Sequence, residues 1–375
     1  MEKPKVRISV RNLVEFILRS GDLDNSRGSS GDKEAMLKGG RLHRKIQRSM
    51  KGNYQAEVSL KRESEYEDTI IQVEGRADGI FTEDGEVWID EIKGTYGNLQ
   101  AMEMPVPVHR AQAMCYGWIY GEKEGLSQIG IQMTYSHLDT EDTRRFREIF
   151  SMEELKNWYQ KLLDDYHKWI SCSLSWKKER NASMKDLQFP FPYREGQREI
   201  VSGVYHTVSS KKTLFVQAPT GVGKTMSAIF PSVRAIGEGK GETLFYLTAK
   251  TITGTVAWEA FHTLRENGLK FKVTAITAKE KLCFLDSPEC TPEKCPYAKG
   301  HFDRVNDAVY ELWTTEEVYS REVIRAHAEK WQVCPFEMCL DLSVWVDGVI
   351  CDYNYAFDPN VHLKRFFGEN ISGDY

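Results

Sequence analysis

One stretch of thirteen residues, Thr213 to Thr225 (TLFVQAPTGVGKT), constrains the fold of this chain more than any other. It joins a short apolar run, Leu214 to Val216, to a loop with two glycines and then to a segment of helical pattern. That order predicts a buried strand, a loop and a helix. Backbone N–H groups released by Gly221 and Gly223, with the positive end of the helix, form a cradle for phosphate oxygens. The stretch therefore predicts a nucleotide phosphate loop.

Two side chains of this loop carry chemistry. Lys224 is expected to reach the terminal phosphates of ATP, and the Thr225 hydroxyl is expected to hold Mg²⁺. Ala218 stands where the general pattern has its first glycine, so the loop resembles that of helicases more than that of kinases or small GTPases. The other positions expected to contact the nucleotide phosphates are Thr220, Gly221, Val222 and Gly223.

The composition is that of a globular protein with more than one domain. The chain has 375 residues, of which 28% are charged and 41% hydrophobic, enough for two or three domains. The net charge of −5 means that a nucleic-acid role needs local basic grooves rather than overall basicity. No membrane-spanning run or signal peptide is visible, so we expect a cytoplasmic protein without membrane contact. In that compartment the eight cysteines are thiols or metal ligands rather than disulfides.

The N-terminal part is predicted to contain two helices followed by strands. A possible Ser cap and apolar residues at helical spacing predict a helix over Ser9 to Arg19, and a second helix starts near Asp32. The polar stretch Gly21 to Gly31 between them predicts a loop. Alternating residues predict an antiparallel meander at 55–62, 69–80 and 86–92, and further strands at 128–135 and 143–150. A capping box predicts a helix over 151–171.

Acidic and basic side chains lie at two strand ends of this meander. Asp78 lies near the end of the second predicted strand, and Asp90-Glu-Ile-Lys93 ends the third. The two-residue period puts Glu91 and Lys93 on one face. Carboxylates are ligands for Mg²⁺ or Mn²⁺, and such an ion can polarise a phosphodiester and lower the pKa of an attacking water. The pattern predicts metal-dependent hydrolysis, with Lys93 orienting the water or offsetting the developing charge.

These residues resemble the PD-(D/E)XK nuclease superfamily, specifically its RecB-like branch, over roughly Ser9 to Phe150. Asp78, within Gly75-Arg-Ala-Asp, matches the first acid of the motif, and Glu91-Ile-Lys93 matches its Glu-x-Lys element. His43 matches the upstream histidine that this branch uses as an additional metal ligand.

A helix motif of the same branch is also present. Gln112 and Tyr116 match its Gln-x-x-x-Tyr pattern, whose spacing puts both side chains on one helix face. The resemblance implies that these two residues position DNA. It also implies that His43, Asp78 and Glu91 hold one or two divalent metal ions, although some nucleases of this class are inactive.

The C-terminal half carries three further features. Gln197 can read adenine through paired amide hydrogen bonds, with Tyr193 or Phe191 covering the ring. Thr243 to Thr251 predicts a buried strand whose carboxyl end suits backbone contacts to single-stranded DNA. Four cysteines follow, separated by six, four and thirty-eight residues, which fit either zinc or a [4Fe–4S] cluster; they are Cys283, Cys290, Cys295 and Cys334.

The region from about Phe189 onward resembles the XPD/DinG-type iron–sulfur helicases of superfamily 2. The matching elements are Gln197, the phosphate loop, Thr248-Ala-Lys-Thr251, the four cysteines and Asp352 to Pro359. The resemblance implies a RecA-like phosphate-loop lobe with an inserted [4Fe–4S] domain, in a 5′→3′ DNA helicase. The expected fold class is therefore α/β, with a restriction-endonuclease-like α+β nuclease domain followed by the RecA-like lobe.

One position departs from the helicase pattern. The segment Val349-Ile-Cys-Asp352 is followed by Tyr353, where the acidic box has its catalytic glutamate. Because phosphoryl transfer depends on that box and on a second motor lobe, we expect an N-terminal part of a longer nuclease–helicase that hydrolyses ATP poorly. The expected boundaries are a nuclease-like domain at 1–175, a linker at 176–190, the first lobe at 191–282, the iron–sulfur insertion at 283–340 and a return to the lobe at 341–375.

The expected function is an ATP-dependent DNA-repair enzyme that cleaves single-stranded or flapped DNA without sequence preference. Two alternatives stay open. One is a non-catalytic nucleotide- and DNA-binding scaffold subunit, and the other is a phosphotransferase with a zinc module. The sequence does not identify its protein partners.

Overall fold

The computed structural model describes residues 3–25, 32–50, 52–249, 251–358 and 361–367. They belong to two compact units of mixed α/β structure. The first unit comprises Met1–Ser20 and Asn25–Ser171, and the second comprises Gly21–Asp24 and Cys172–Tyr375. From position 26 onward, the loop predicted over Gly21 to Gly31 lies outside the described residues. Within the described ranges, no helix is long and apolar enough to cross a membrane.

The first unit is built on a six-stranded mixed sheet. Its elements in chain order are β1 (Lys5–Ser9), α1 (Val10–Ile17), α2 (Asp32–Ser49), β2 (Gln55–Glu65), β3 (Ile70–Glu83), β4 (Glu86–Thr95), a 3₁₀ turn (Leu99–Ala101), α3 (Pro107–Glu124), β5 (Gln128–His137), β6 (Thr143–Ser151) and the first part of α4 (Met152–Met184), whose residues from Cys172 onward belong to the second unit. Strands β2, β3 and β4 form the predicted antiparallel meander. β5 pairs in parallel with β4 and antiparallel with β6, and β1 pairs in parallel with β3. Helix α3 packs against β3, β4 and β5, the strands around the predicted acidic residues.

Two predicted helix starts in this unit are confirmed by their hydrogen bonds. The Asn12 N–H donates to the Ser9 hydroxyl at 3.0 Å, which caps α1. At α4, the Glu154 N–H donates to Ser151 Oγ at 3.2 Å and the Ser151 N–H donates to Glu154 Oε2 at 2.9 Å. This reciprocal pair is the predicted capping box, and it satisfies N–H groups that the helix leaves unpaired.

The second unit is built on a parallel sheet whose strand order, in the part of the chain that is described, is β7-β10-β8-β9. Its elements are α5 (Gln197–Ser209), α6 (Lys224–Gly237), β7 (Leu244–Thr248), α7 (Thr251–Glu266), β8 (Val273–Ala275), α8 (Lys279–Leu282), α9 (His301–Thr315), β9 (Val318–Tyr319), α10 (Arg321–Trp331), α11 (Pro335–Leu342), β10 (Gly348–Asp352), α12 (Asn354–Phe357) and α13 (Lys364–Phe367). Buried apolar residues of α6 and α7 pack in one core with the sheet. Because the strands are parallel, the carboxyl ends of β7, β8 and β10 lie at one edge, where such sheets bind ligands.

The predicted strand before the phosphate loop is absent. Leu214, Phe215 and Val216 are 41%, 93% and 45% exposed, and they form no strand. Apolar residues favour a strand only where a neighbouring strand can pair with its backbone groups. None of the described strands pairs with this segment, so the prediction of a buried strand is wrong.

Helix α4 continues through the first half of the stretch predicted to be a linker, 176–190, and ends at Met184. A buried carboxylate explains this difference. Trp176 Nε1 donates to Asp347 Oδ2 at 2.8 Å, and Arg180 Nη1 donates to Asp347 Oδ1 at 2.7 Å. Residues four apart share one helix face. Tertiary contacts therefore hold a helix where the local pattern is weak.

Replacing Asp347 by alanine is expected to lower the free energy of unfolding of the second unit by about 3–5 kcal/mol, because Arg180 would stay buried without its counter-charge. Both side chains are at most 5% exposed. Urea denaturation followed by tryptophan fluorescence measures this change. Asp307→Ala, at an exposed position of α9, is the matched control. An unchanged denaturation midpoint for Asp347→Ala would contradict the anchoring role.

Candidate functional site

Asp78, Glu91 and Lys93 are brought together by the pairing of β3 with β4. In the antiparallel ladder Gly79 pairs with Asp90, so Asp78 and Glu91 are the next residues along each strand. The Ile92 N–H donates to Asp78 Oδ2 at 2.7 Å, and Lys93 Nζ lies 2.7 Å from Glu91 Oε1. Glu91 and Lys93 thus share one face of β4, as the alternation predicted.

Glu91 is the most buried member of this group. Its side chain is 6% exposed, and within the described ranges its Oε2 has no hydrogen-bond partner. Burial and the charge of Asp78 raise the pKa of Glu91 to about 7, against the opposing effect of Lys93. A cation between the two carboxylates would stabilise both charges. The unpartnered oxygen and the carboxylate donors therefore fit Mg²⁺ or Mn²⁺.

His43 reaches this group from α2. Its Nδ1 lies 3.7 Å from Asp78 Oδ1. One turn later, Gln47 Nε2 donates to the Asp78 carbonyl at 2.9 Å and ties the helix to β3. Among the residues that the structure describes, no three His, Cys, Asp or Glu side chains converge closely enough to hold a metal ion. Metal binding by His43, Asp78 and Glu91 therefore stays a prediction.

Asp90, which precedes Glu91 on β4, is held by hydrogen bonds to neighbouring parts of the first unit. Its Oδ1 accepts hydrogen bonds from Thr134 Oγ1 at 2.6 Å and Gln132 Nε2 at 2.9 Å. Its Oδ2 accepts one from the Tyr54 hydroxyl at 3.1 Å. Gly79 is needed beside it, because a Cβ there would overlap Tyr54. Asp90 therefore holds neighbouring strands together.

Helix α3 places Tyr116, the tyrosine of the Gln-x-x-x-Tyr motif, against Gly75, three residues before Asp78. Gln112 and Tyr116 are 3% and 6% exposed. A Cβ at Gly75 would lie 2.6 Å from the Tyr116 hydroxyl, so glycine is required there. Burial, with the charges of Glu91 and Asp78, raises the pKa of Tyr116. The tyrosine therefore lies within electrostatic range of both acids, and Gln112 lies one turn earlier on α3.

Two residues close to this group, His109 and Tyr135, were not predicted from the sequence. Tyr135 is the register partner of Lys93 across β5 and β4. His109 Nδ1 lies 3.2 Å from the Tyr135 hydroxyl. Helical spacing was the available signal for the histidine, because His109 precedes Gln112 by one turn.

The phosphate loop has the backbone that its glycines predict. Gly221 and Gly223 have φ angles of 87° and 80°, in the left-handed region, and α6 begins at Lys224. Lys224 Nζ donates to the carbonyl oxygens of Ala218 and Pro219 at 3.0 and 2.9 Å, so the ammonium lies against the loop. Of the other predicted positions, Thr220 is exposed and Val222 is half-buried. A cation and a helix N-terminus thus lie together, as phosphate binding requires.

Gln197 and Thr225 flank this loop. Gln197 is 4% exposed, and its Oε1 accepts a hydrogen bond from the Arg194 N–H at 3.0 Å. A Cβ at Gly223 would lie 2.7 Å from Gln197 Nε2. The Tyr246 hydroxyl donates to Thr225 Oγ1 at 3.3 Å. Gln197 therefore packs directly on the phosphate loop, and its reading of adenine stays a prediction.

A cavity of about 470 Å³ opens at the carboxyl ends of β7, β8 and β10. Thr248, Trp258, Lys281 and Tyr355 are among the residues that line it. The cavity therefore combines aromatic faces with polar and basic groups. Lys250, from the same predicted motif as Thr248, lies outside the described residues.

The segment that resembles the acidic box is the strand β10, which lies between β7 and β8. Asp352 Oδ1 accepts a hydrogen bond from the Asn354 N–H at 2.9 Å. Tyr353, in the position of the expected glutamate, is 47% exposed. The strand is therefore present, and a tyrosine follows its aspartate.

The predicted cluster ligands lie around α8 and the start of α11, which pack together. Cys295 and Cys334 are each 7% exposed and share an apolar cluster. Lys279, one turn before Cys283, hydrogen-bonds with Cys290 and lies within electrostatic range of Cys334. Burial raises the pKa of the Cys334 thiol to about 11. Thiols are the donors that zinc and iron–sulfur clusters take. Among the described residues, however, no three of these cysteines converge closely enough to hold a metal ion, so both groups stay predictions.

Residues Gly21–Asp24, which we call the N-terminal strap, lie against this cysteine region. Leu23 is 6% exposed and packs in the apolar cluster with Cys295 and Cys334. The hydrogen bonds that hold the strap include those from the Leu23 N–H to the Ala298 carbonyl at 2.8 Å, from the Phe302 N–H to the Gly21 carbonyl at 2.9 Å, from the Gly21 N–H to Asp303 Oδ1 at 2.7 Å and from the Gly300 N–H to Asp22 Oδ1 at 2.6 Å. The strap therefore covers two of the four cysteines.

Comparison with known proteins gives limited matches. No protein-family model matches the chain. The chain is 40% identical over 47 residues to a probable ATP-dependent helicase of Methanocaldococcus jannaschii, a match that covers 12% of this chain and 7% of that helicase. The chain therefore matches only a small part of that relative. The chain is also 20% identical to the solved structure of SSO0001, with 44% of this chain and 78% of that chain covered and a TM-score of 0.28. The chain thus contains a helicase-related segment.

Proposed function

We propose that this chain is a metal-dependent deoxyribonuclease joined to the ATP-binding part of an iron–sulfur DNA helicase that acts in DNA repair or recombination. The observation that carries the proposal is the group formed by Asp78, Glu91 and Lys93. It combines two carboxylates, one with a buried unpartnered oxygen, and an ammonium group. These are the groups that metal-assisted phosphodiester hydrolysis uses. The phosphate loop and the short similarity to a probable helicase support the helicase part.

In the nuclease part, Asp78 and Glu91, with His43, would hold one or two Mg²⁺ or Mn²⁺ ions. A bound ion supplies polarisation of the phosphodiester and a lower pKa for the attacking water. Lys93 donates to that water or to a phosphate oxygen, where it offsets the negative charge that develops. Gln112 and Tyr116 position the DNA strand along α3. With no base-reading motif in the sequence, we propose cleavage that is independent of sequence.

In the helicase part, Lys224 and Thr225 bind the terminal phosphates of ATP and its Mg²⁺. The cavity beside Thr248 receives single-stranded DNA, with Trp258 and Tyr355 offering stacking surfaces. The four cysteines would hold a [4Fe–4S] cluster. Because Tyr353 stands in place of the acidic-box glutamate, we propose that this chain binds ATP but hydrolyses it slowly.

Cleavage of end-labelled single-stranded and flapped DNA with Mn²⁺ and without ATP tests the nuclease. The wild-type chain is expected to cleave, whereas Asp78→Asn and Glu91→Gln are expected to lose cleavage and stay folded, because each removes a metal-binding charge. A folded wild-type chain that binds DNA and cleaves none would favour the inactive scaffold. Cleavage that survives both substitutions would place the active site elsewhere.

A further inference from the structure

His109 lies beside the candidate active site and belongs to none of the predicted motifs. It is in the first turn of α3, one turn before Gln112 and two turns before Tyr116. Residues at these spacings lie on one face of a helix. Burial lowers the pKa of His109 to about 4, and the charges of Lys93 and Arg11 add to this effect. The imidazole is therefore neutral near pH 7.

Tyr135 determines which nitrogen of His109 carries the hydrogen. The Val106 N–H donates to the Tyr135 hydroxyl oxygen at 2.9 Å, and this oxygen lies 3.2 Å from His109 Nδ1. The hydroxyl can then direct its own hydrogen to Nδ1. A neutral imidazole that accepts at Nδ1 carries its hydrogen on Nε2. In the part of the chain that is described, no group accepts a hydrogen bond from Nε2, so the ring offers an unused N–H donor.

The position of Lys93 shows where the His109 N–H donor lies relative to the candidate active site. Tyr135 and Lys93 are register partners on adjacent parallel strands, so their side chains leave the sheet on the same face. The first turn of α3 also carries the positive end of the helix dipole, which favours a negative group. Tyr135 is thus the strand neighbour of Lys93, whose ammonium is expected to act on the scissile phosphodiester, and the hydrogen-bond partner of His109, whose ring has a free donor.

We propose that the His109 Nε2–H donates a hydrogen bond to a phosphate oxygen of a single DNA strand that lies along the start of α3, next to the phosphodiester on which Lys93 acts. His109 is then a DNA-positioning residue, and Tyr135 holds its ring. This inference rests on the proposed nuclease function and extends it to a second phosphate of the substrate.

Binding of fluorescein-labelled oligothymidine in Ca²⁺, measured by fluorescence anisotropy, tests the contact separately from cleavage. His109→Phe is expected to weaken binding about 5- to 10-fold, the effect of one lost hydrogen bond, and His109→Gln, which keeps an N–H donor, is expected to bind nearly as the wild type does. A neutral donor releases no counterion. The dependence of log Kd on log salt should therefore be unchanged in His109→Phe, whereas Lys93→Ala should reduce its slope by about 0.7. With Mn²⁺, His109→Phe should raise KM more than it lowers kcat.

The outcomes separate this contact from the nuclease function. Wild-type affinity in His109→Phe, together with cleavage by the wild type, would overturn the role of His109 and leave the nuclease intact. Weaker binding in His109→Phe without cleavage by the wild type would support the contact and count against the nuclease. Equal weakening in His109→Phe and His109→Gln, with lower thermal midpoints in both, would show a structural role and overturn the proposal.

Discussion

Replacing Lys93 by alanine is expected to slow Mn²⁺-dependent cleavage of single-stranded DNA by roughly 100- to 1,000-fold, the usual effect of removing one preorganised donor from a developing charge. Lys93 Nζ lies 2.7 Å from Glu91 Oε1, and its side chain is 24% exposed. The ammonium can therefore contact the buried carboxylate and a bound phosphate from the same position. Initial rates of product formation from end-labelled DNA measure the effect.

Lys156→Ala is the matched control for this experiment. Lys156 is an exposed residue of α4 in the same unit. It is expected to leave cleavage unchanged, and thermal unfolding of both variants would show whether they fold alike. A Lys93→Ala protein that cleaves as fast as the wild type would contradict the assignment of Lys93.

Replacing Lys224 by alanine is expected to weaken binding of ATP·Mg²⁺ about 10- to 100-fold, because charge-assisted hydrogen bonds each contribute about 1.5–3 kcal/mol. Lys224 is the first residue of α6, and its ammonium lies at the loop carbonyls of Ala218 and Pro219. A bound phosphate offers a charged acceptor in place of these neutral ones. Titration calorimetry with a non-hydrolysable ATP analogue measures the change.

Lys240→Ala provides the control for nucleotide binding. Lys240 is exposed just beyond the opposite end of α6. The substitution removes the same charge without touching the phosphate loop. If Lys224→Ala and Lys240→Ala bind nucleotide equally well, the loop does not bind phosphate as proposed.

The elements that the sequence predicted well are those with local causes. The Ser9 cap, the box of Ser151 and Glu154 and the meander strands depend on neighbouring residues and on the period of side chains along one strand. The shared face of Glu91 and Lys93 has the same origin, so this part of the candidate site could be predicted.

The features that the sequence did not predict depend on distant contacts. Helix α4 persists past Trp176 because Asp347 binds it from far along the chain. The apolar run at Leu214 pairs with none of the described strands. The link from Lys93 through Tyr135 to His109 requires the register between β4 and β5, which an intervening helix sets. Periodicity within one segment shows which side chains share a face, but it does not show which residues of a distant segment lie opposite them.

The N-terminal strap affects how far this protein can be divided into independent parts. Leu23 precedes most of the first unit in the chain, and yet it packs on Cys295 and Cys334 in the second unit. A protein cut at Ser171 would separate the cysteines from this cover and expose apolar surface and two thiols to water and oxidants. Gene fission or domain exchange at that boundary would therefore destabilise the cysteine region, even though it would leave the phosphate loop and the carboxylate group unchanged.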